Sequence, residues 1–340
     1  MMKNLLYLIM LAVLLSSCFK EDEKVVPHDP GGLEDVQVAM GGTYAQQVYF
    51  DLASGESVFF NDKDNYDLAF ESGPEGWHVL LNTASFMYAA KTGTNIFEAP
   101  IDTTGYDWRY DKSNGDLDST AIGMYIFFDP ADSSRVSHKD IYVLDRGYDI
   151  NANLRGLKKI VFLEVNDSTY LFRYANLDGS DEVMATITKD PLAYFSYWSF
   201  ENGGQQVYPE PLPDSYDLLF TMYTTLLFTN EGDPYPYLLT GALINRKGVE
   251  TARDTIIPFN DITYENALLM DFNTDLDNIG WDWKVLEGDV TGGGTLVYNI
   301  VEGLHFVIRD TDGYLYKLRF TGFYNNEGVK GYPRFEYQRL

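Results

Sequence analysis

The stretch DSYDLLFTMYTTLLFT, residues 214–229, contains a five-residue pattern that also occurs earlier in the chain. Tyr-Asp-Leu-x-Phe begins here at Tyr216, and it begins 150 residues earlier at Tyr66, in DNYDLAFESG, residues 64–73. Aromatic side chains of this kind fit pleated, half-buried surfaces. We therefore expect both copies to be framework strands, in which the aromatic residues and Leu pack while Asp accepts a local hydrogen bond or faces water.

The repeat extends beyond this pattern. Phe50 in VYFDLASGE and Phe200 in YWSFENGG are again 150 residues apart. Downstream, IVFLEVNDSTYLFRYANL from Ile160 matches FVIRDTDGYLYKLRFTGF from Phe306 at an offset of 146 residues. The offset changes little along the chain, which indicates a tandem duplication with small insertions and deletions. A solenoid would repeat with a far shorter period.

Strands separated by turns dominate each copy. FVIRD and YLYKLRF flank the turn TDG and predict a β-hairpin, and the terminal YPRFEYQRL alternates in a way that predicts a closing strand. The chain contains 26 Tyr and 21 Phe, and its best short helix candidate, LEDVQVAM from Leu33, has no clear apolar stripe. The sequence therefore predicts an all-β fold of two tandem antiparallel β-domains, residues 36–190 and 191–340, with few or no helices.

The N-terminal stretch MMKNLLYLIMLAVLLSSC predicts the cellular address. Lys3 precedes an apolar run, residues 5–15, that is too short to span a bilayer and is typical of a signal-peptide core. Small residues precede Cys18, as in a bacterial lipobox, and Cys18 is the only cysteine, so no intramolecular disulfide can form. We expect residues 1–17 to be a signal peptide and Cys18 to carry the lipid. An ordinary signal peptide with a coincidental cysteine is the alternative.

Residues 18–35 are rich in charged residues, Pro and Gly, and have too little apolar content to pack, which predicts a flexible tether. Lys20-Glu21-Asp22 resembles the charged tag of surface-exposed lipoproteins from Bacteroidetes. We therefore expect an outer-membrane lipoprotein that faces the cell exterior. The net charge of −26 argues against nucleic-acid partners and against direct adhesion to anionic lipid, so the lipid anchor is the expected membrane contact.

Motifs of known enzymes are scarce. The chain has four histidines, and it lacks HExxH, paired CxxC, GxSxG and phosphate-loop patterns. A Ser-His-Asp triad stays open, because its members need not be close in sequence. Paired carboxylates discriminate nothing among 51 acidic residues. We therefore expect a binding protein without turnover.

The stretch DFNTDLDNIGWD places oxygen-bearing side chains at the spacing of calcium ligands, from Asp271 to Asp277. An EF-hand loop needs Gly at its sixth position and Glu at its twelfth, where this chain has Leu276 and Asp282. A polar turn before Trp281 is the alternative to a calcium site.

The second copy resembles the HmuY family of haem-binding lipoproteins from Bacteroidetes. The resemblance rests on YWSFENGG, on DSYDLLFTMYTTLLFTNEG and on the closing YNIVEGLHFVIRDTDGYLYKLRFTGFYNNEGVKGYPRFEYQRL. The first copy is more divergent and shares YFDLASGE, NYDLAF and YLFRYANLDG. The resemblance implies an all-β fold, capture of haem by two axial His or Met side chains, and transfer to a TonB-dependent outer-membrane transporter.

The middle of the second copy, residues 229–297, contains no histidine and only Met270 as a methionine. The first copy offers Met124 in GMYIFFD and His138 in VSHKDIYV, and a thioether and an imidazole are both axial haem ligands. We expect this pair to ligate haem across a cavity, although Met124 also fits a core position. The alternative function is a non-haem module that binds a glycan or a partner protein. It predicts an exposed, coplanar pair among Tyr235, Tyr237, Trp281 and Trp283.

Overall fold

The structure is a computed structural model that describes residues 30–288 and 296–340. Within it, residues 31–340 form one compact unit. The predicted signal peptide, residues 1–17, and the predicted lipid site Cys18 lie outside the described residues. The predicted tether overlaps the first strand, which begins at Glu34. In the described ranges, no helix combines the length and the apolar character that crossing a bilayer requires.

Strands make up most of the secondary structure. The first eleven are β1 (Glu34–Gln37), β2 (Gln46–Asp51), β3 (Glu56–Asp62), β4 (Leu68–Glu71), β5 (Val79–Leu81), β6 (Tyr88–Lys91), β7 (Ile126–Phe128), β8 (Arg135–Ser137), β9 (Ile141–Asp145), β10 (Leu157–Val165) and β11 (Thr169–Ala175). The remaining strands are β12 (Val183–Thr188), β13 (Phe195–Ser199), β14 (Gln205–Val207), β15 (Leu218–Phe228), β16 (Pro234–Ile244), β17 (Glu250–Asp254), β18 (Lys284–Glu287), β19 (Val297–Ile300), β20 (His305–Arg309), β21 (Leu315–Tyr324) and β22 (Lys330–Arg339).

Helical structure in the described residues is short, as predicted. The α-helix α1 (Tyr264–Ala267) begins at a Thr263 capping box. Five 3-10 turns accompany it: Thr83–Ser85, Leu117–Ser119, Glu201–Gly203, Pro213–Ser215 and Phe259–Asp261. The all-β prediction is confirmed.

The strands form four larger antiparallel sheets and the small ribbon β18-β19. Sheet A has the order β1-β22-β21-β20-β17, sheet B has β16-β15-β2-β3, and sheet C has β14-β13-β4-β5. Sheet D runs β12-β11-β10-β8-β7, with β9 pairing to both β10 and β6. Successive side chains of a strand point to opposite faces of its sheet, so one face can be apolar and the other polar. Each sheet buries its apolar face against a partner sheet.

The described residues form four hydrophobic clusters, and the two largest are cores that each lie between two sheets. Sheets C and D enclose the first core, where Phe70 contacts Phe172 and Phe162. Sheets A and B enclose the second core, where Phe220 stacks on Phe335. We call these pairs of sheets the first and the second sandwich.

The two predicted copies exchange their opening strands. β2, from the first copy, pairs with β15 of the second copy, so that Phe50 lies opposite Leu218. β13, from the second copy, pairs with β4 of the first copy, so that Trp198 lies opposite Leu68. This pairing corrects the predicted division into residues 36–190 and 191–340, because each sandwich contains strands from both sides of that boundary.

The exchange also corrects the alignment of the opening strands. The N–H of Leu52 donates to Asp217 Oδ2, and the N–H of Phe200 donates to Asp67 Oδ2, both at 2.8 Å. Leu52 is thus equivalent to Phe200, an offset of 148 residues rather than the predicted 150. The connection from the opening strand to the Tyr-Asp pair is two residues longer in the second copy, which explains the change.

The predicted hairpins are present. β20 pairs with β21 around a turn at Asp310–Tyr314, and β10 pairs with β11 in the matching stretch of the first copy. β22 lies between β21 and β1, so YPRFEYQRL is an inner strand and β1 forms the edge. The segment LEDVQVAM contributes β1 rather than a helix.

Candidate functional site

A cavity of about 140 Å³ lies where the outward faces of sheets B and C meet. Its walls include equivalent residues from the two copies, because alternate residues of β2, β4, β13 and β15 face away from the sandwich cores. These equivalent pairs are Tyr49 and Tyr197, Tyr66 and Tyr216, Ala69 and Leu219, Leu80 and Leu243, and Leu81 and Ile244. We call this space the tyrosine cavity.

The four tyrosines form two edge-to-face pairs, one beside sheet B and one beside sheet C. The ring centroids of Tyr49 and Tyr216 are 4.9 Å apart at an interplanar angle of 85°, and those of Tyr66 and Tyr197 are 4.9 Å apart at 73°. Aromatic pairs in this arrangement contribute about 0.5–1.5 kcal/mol beyond their area burial. The repeated Tyr-Asp-Leu-x-Phe pattern thus places its Tyr at the junction and its Leu and Phe in a core.

Glu210 brings a carboxyl group to the same cavity. It accepts hydrogen bonds from the hydroxyl of Tyr216, at 2.5 Å, and from the hydroxyl of Tyr197. Burial raises the pKa of Glu210, while the two phenols and Arg246 oppose that shift. The cavity therefore contains an acidic group that is held by one tyrosine from each pair.

Arg246 supplies a positive charge to the cavity wall. Its Nη1 donates to the carbonyl of Gly115 at 2.6 Å, and its guanidinium carbon lies 5.5 Å from the ring centroid of Phe195. Burial lowers the pKa of Arg246, and Glu210 and the nearby tyrosines oppose that shift. Arg246 and Glu210 do not form an ion pair with each other in the described part of the chain.

The repeated aspartates behave differently in the two sandwiches. Asp67 is fully buried and pairs with Arg146, with Nε–Oδ1 at 2.9 Å, and with Arg155, with Nη2–Oδ1 at 3.1 Å. Asp217 is also buried, but its neighbours include Asp51 and Asp310, and burial raises its pKa to about 7. The first Asp is therefore balanced by arginines, whereas the second favours its protonated form.

Met124 and His138 lie at neighbouring strand ends. Met124 lies two residues before β7 and is 59% exposed, and His138 directly follows β8 and is also exposed. The N–H of His138 donates to the carbonyl of Tyr125 at 2.9 Å. The hairpin also exposes Phe127, whose ring centroid lies 5.4 Å from that of His138, and Phe128. We call Met124, Phe127, Phe128 and His138 the β7–β8 patch.

The structure does not place Met124 and His138 across a cavity from each other. Two axial ligands approach a haem iron from opposite faces, and paired strands about 4.8 Å apart leave no room for a porphyrin between them. Ligation by both residues stays a prediction, and it requires this end of the hairpin to open. The tyrosine cavity is also too small for haem, because pockets for ligands of drug size span about 300–1,000 Å³.

The predicted aromatic platform is not formed. Tyr235 and Tyr237 are exposed, but their rings lie at 82° to each other, with centroids 6.1 Å apart. Trp283 is 1% exposed and stacks on Phe320 at a centroid distance of 3.8 Å, so it belongs to the core. The coplanar arrangement that would stack on a sugar is therefore absent among these four residues.

The acidic stretch and the other histidines offer no metal site in residues 30–288 and 296–340, where no three His, Cys, Asp or Glu side chains converge. Asp277 accepts a hydrogen bond from Ser113, and Asn273 pairs through its backbone with Thr251. His305 is buried beside Phe259, as a wall residue would be. His78 hydrogen-bonds to Glu71 through Nδ1, at 2.6 Å.

Sequence reasoning missed Glu210 and Arg246, which lie outside every recognisable motif. A partial signal was available for the tyrosines, because Tyr66 and Tyr216 recur in the repeat and Tyr49 and Tyr197 recur when the offset is 148. Neither pair indicated a cavity, since the exchange of strands decides which tyrosines meet.

One family profile and several solved structures are similar to this chain. The sequence profile of the HmuY protein family matches residues 43–337. The structure is similar to apo PinO from Porphyromonas gingivitis, with 11% identity, a TM-score of 0.30 and coverage of 91% of this chain and 98% of that one. It is also similar to the apo HmuY analog of Tannerella forsythia, with 10% identity, a TM-score of 0.23 and coverage of 92% and 98%.

A third similar structure is a putative HmuY-like heme binding protein from Bacteroides vulgatus. It shows 10% identity, a TM-score of 0.23 and coverage of 90% of both chains. These TM-scores are too low to carry an argument about function. No curated protein sequence matches the chain.

Proposed function

Because the chain belongs to the HmuY family, we propose that it is a lipoprotein that binds haem without turnover and passes it to a TonB-dependent outer-membrane transporter. The family match over residues 43–337 is the observation that carries this proposal. The sequence lacks HExxH, paired CxxC, GxSxG and phosphate-loop motifs, which is consistent with a binding role. Because one fold can serve many functions, the ligand has to be argued from the residues of the site.

The β7–β8 patch is the surface that we assign to haem. It presents two exposed aromatic rings, which would cover apolar porphyrin surface, beside a thioether and an imidazole that are suited to iron. We assign the axial positions to Met124 and His138. Haem would then enter as β7 separates from β8.

The hairpin is weakly held, which supports such an opening. β7 is an edge strand that pairs only with β8, over three residue pairs from Ile126–Ser137 to Phe128–Arg135. β8 in turn pairs with β10 at the single position Val136–Glu164. Opening this ladder breaks few backbone pairs, and it also withdraws Ile126 from the first core.

A haemin titration of residues 31–340 tests the proposal. We expect a Soret shift that saturates at one equivalent, and we expect Met124→Ala and His138→Ala each to remove the low-spin spectrum. Met184→Ala is the matched control, because Met184 is an equally exposed methionine on another strand. Saturable binding that survives both patch variants would reject the assigned ligands, and a non-saturating response in the unsubstituted protein would reject haem binding itself.

We assign the protein to the outer membrane, anchored through Cys18 and facing the exterior. Cys18→Ser should abolish labelling by a palmitate analogue and release the protein from membranes. Protease treatment of intact cells should remove the anchored protein. Delivery to a transporter predicts that cells carrying Cys18→Ser grow poorly when haemin is the sole iron source, and equal growth would contradict that step.

The second candidate is a module that binds a protein partner rather than haem. The far end of the β15–β16 hairpin exposes Leu226, Phe228, Tyr235 and Tyr237, and exposed apolar patches mark interaction sites. The perpendicular tyrosine rings favour a protein partner over a glycan on this surface. A featureless haemin titration together with saturable binding of a partner would select this alternative.

A further inference from the structure

Four charged residues line the tyrosine cavity: Glu210, Arg246, Lys112 and Asp111, of which Asp111 already accepts hydrogen bonds from two backbone N–H groups. Both Glu210 and Arg246 line it, yet the described residues show no ion pair between them. Glu210 accepts hydrogen bonds from two phenols, and Arg246 donates one to the backbone carbonyl of Gly115. Enclosing unpaired charges costs several kcal/mol unless a partner compensates them. The arrangement therefore favours a bound group that satisfies both charges.

Tyr223 adds a buried hydroxyl to the cavity wall, on the side that faces Gly280. Its side chain lines the cavity and is 1% exposed, and its hydroxyl has no hydrogen-bond partner among the described residues. A buried polar group without a partner costs about 1–3 kcal/mol. The cavity thus contains a free hydroxyl, a carboxyl group and a guanidinium around an aromatic lining.

We propose that the tyrosine cavity binds a small zwitterion of the α-amino acid class. The ammonium group would lie against Glu210 and the faces of the surrounding tyrosine rings, which attract cations through their quadrupoles. The carboxylate would pair with the guanidinium of Arg246, and the hydroxyl of Tyr223 would supply a further hydrogen bond. Binding involves no covalent step.

The volume of the cavity limits the size of the ligand. The cavity volume of about 140 Å³ is less than half of the roughly 300 Å³ at which pockets for drug-sized ligands begin. Glycine and alanine fit such a space, whereas a bulky aromatic amino acid and haem do not. The site is therefore separate from the β7–β8 patch in both place and ligand class.

A second cavity of about 300 Å³ shares Gly115, Arg246 and Leu276 with the tyrosine cavity and provides a route of entry. Gly115 has a positive φ of 82°, and a Cβ there would lie 2.5 Å from the Leu276 side chain and 2.8 Å from Arg246 Nη2. Only glycine at position 115 lets this loop approach Leu276 and Arg246 so closely. The carbonyl of Gly115 can therefore hold the guanidinium of Arg246 at the entrance.

Isothermal titration of residues 31–340 with glycine, acetate and methylamine at equal ionic strength tests the proposal. Glycine and L-alanine should bind saturably, and each single-charge compound should bind at least ten times more weakly. This comparison uses the unsubstituted protein and does not depend on any variant folding. Absence of saturable glycine binding, or acetate or methylamine binding as tightly as glycine, would overturn the proposal.

Three variants assign the contacts. Glu210→Gln and Arg246→Met should each weaken glycine binding at least tenfold, whereas Arg334→Met, which removes a surface charge paired with Asp35, should leave it unchanged. Tyr223→Phe removes only the unpartnered hydroxyl, so the ligand-free protein should unfold at an unchanged or higher temperature while glycine binds more weakly. Unchanged glycine affinity in all three cavity variants would overturn the assignment.

Discussion

Replacing Asp217 by Asn should remove a large pH dependence of the free energy of unfolding. Asp217 is buried, accepts a hydrogen bond from the N–H of Leu52 and has acidic neighbours, and burial raises its pKa from 3.8 to about 7. Between these values the folded state holds a proton that the unfolded state has released. Stability therefore falls as the pH rises through this window, by about 4 kcal/mol in total at 1.36 kcal/mol per pKa unit.

Urea unfolding at pH 5 and pH 8, followed by tryptophan fluorescence, measures this effect. The unfolded carboxyl is already mostly ionised at pH 5, so the contribution of Asp217 between these two pH values is about 3 kcal/mol. Asn keeps an oxygen acceptor for Leu52 and does not ionise. As the pH rises from 5 to 8, we therefore expect the free energy of unfolding of Asp217→Asn to increase by about 3 kcal/mol relative to that of the unsubstituted protein.

The equivalent residue of the first copy is the matched control. Asp67→Asn leaves Arg146 and Arg155 without their buried carboxylate and should destabilise the protein by about 3–5 kcal/mol at pH 8. The same substitution at two equivalent positions should thus act with opposite sign at that pH. If Asp217→Asn shows the same change of stability with pH as the unsubstituted protein, the account of Asp217 is refuted.

Three further results are expected. Trp283→Ala removes a core ring stacked on Phe320 and should lower the free energy of unfolding by about 3–5 kcal/mol, and a loss below 1 kcal/mol would contradict its placement in the core. Gly147→Ala should abolish folding as judged by circular dichroism, because the residue has φ of 63° and a Cβ would lie 1.8 Å from the carbonyl oxygen of Ser85; a folded variant would refute this contact. Cys18→Ser should move the protein from the membrane to the soluble fraction, and retention on the membrane would exclude Cys18 as the anchor.

Local patterns in the sequence identify the strands at the repeated motif, at the hairpins and at the closing stretch, because they report on burial at one element at a time. The alternation around Leu218 and Phe220 places both residues in a core, and TDG marks the turn between β20 and β21. These features need no knowledge of the rest of the chain, since side chains two residues apart share one face of a strand.

The exchange of β2 and β13 is not predictable in this way. β2 and β13 are both rich in aromatic residues, so the sequence pattern alone would allow either strand to pair with β4 or with β15. The choice depends on the connections and on the packing of the whole unit. The tyrosine cavity depends on the same pairing, because it forms where sheets B and C meet and each of these sheets contains one exchanged strand.

The candidate haem ligands show a related limit. Residue type identified Met124 and His138 as suitable for iron, and the structure shows both to be exposed on one hairpin. Whether two ligands face each other depends on strand register, which brings the backbone of His138 to Tyr125. The register of this hairpin follows from its turn and loop length, which the residue types of Met124 and His138 do not reveal.

The most direct test of the proposed function is the absorbance titration of residues 31–340 with haemin in the oxidised and reduced states. The account predicts a Soret band that shifts and saturates at one equivalent, with the low-spin spectrum of a six-coordinate iron. A linear, non-saturating rise identical to that of free haemin would contradict it, and the chain would then be a member of the HmuY family that binds no haem.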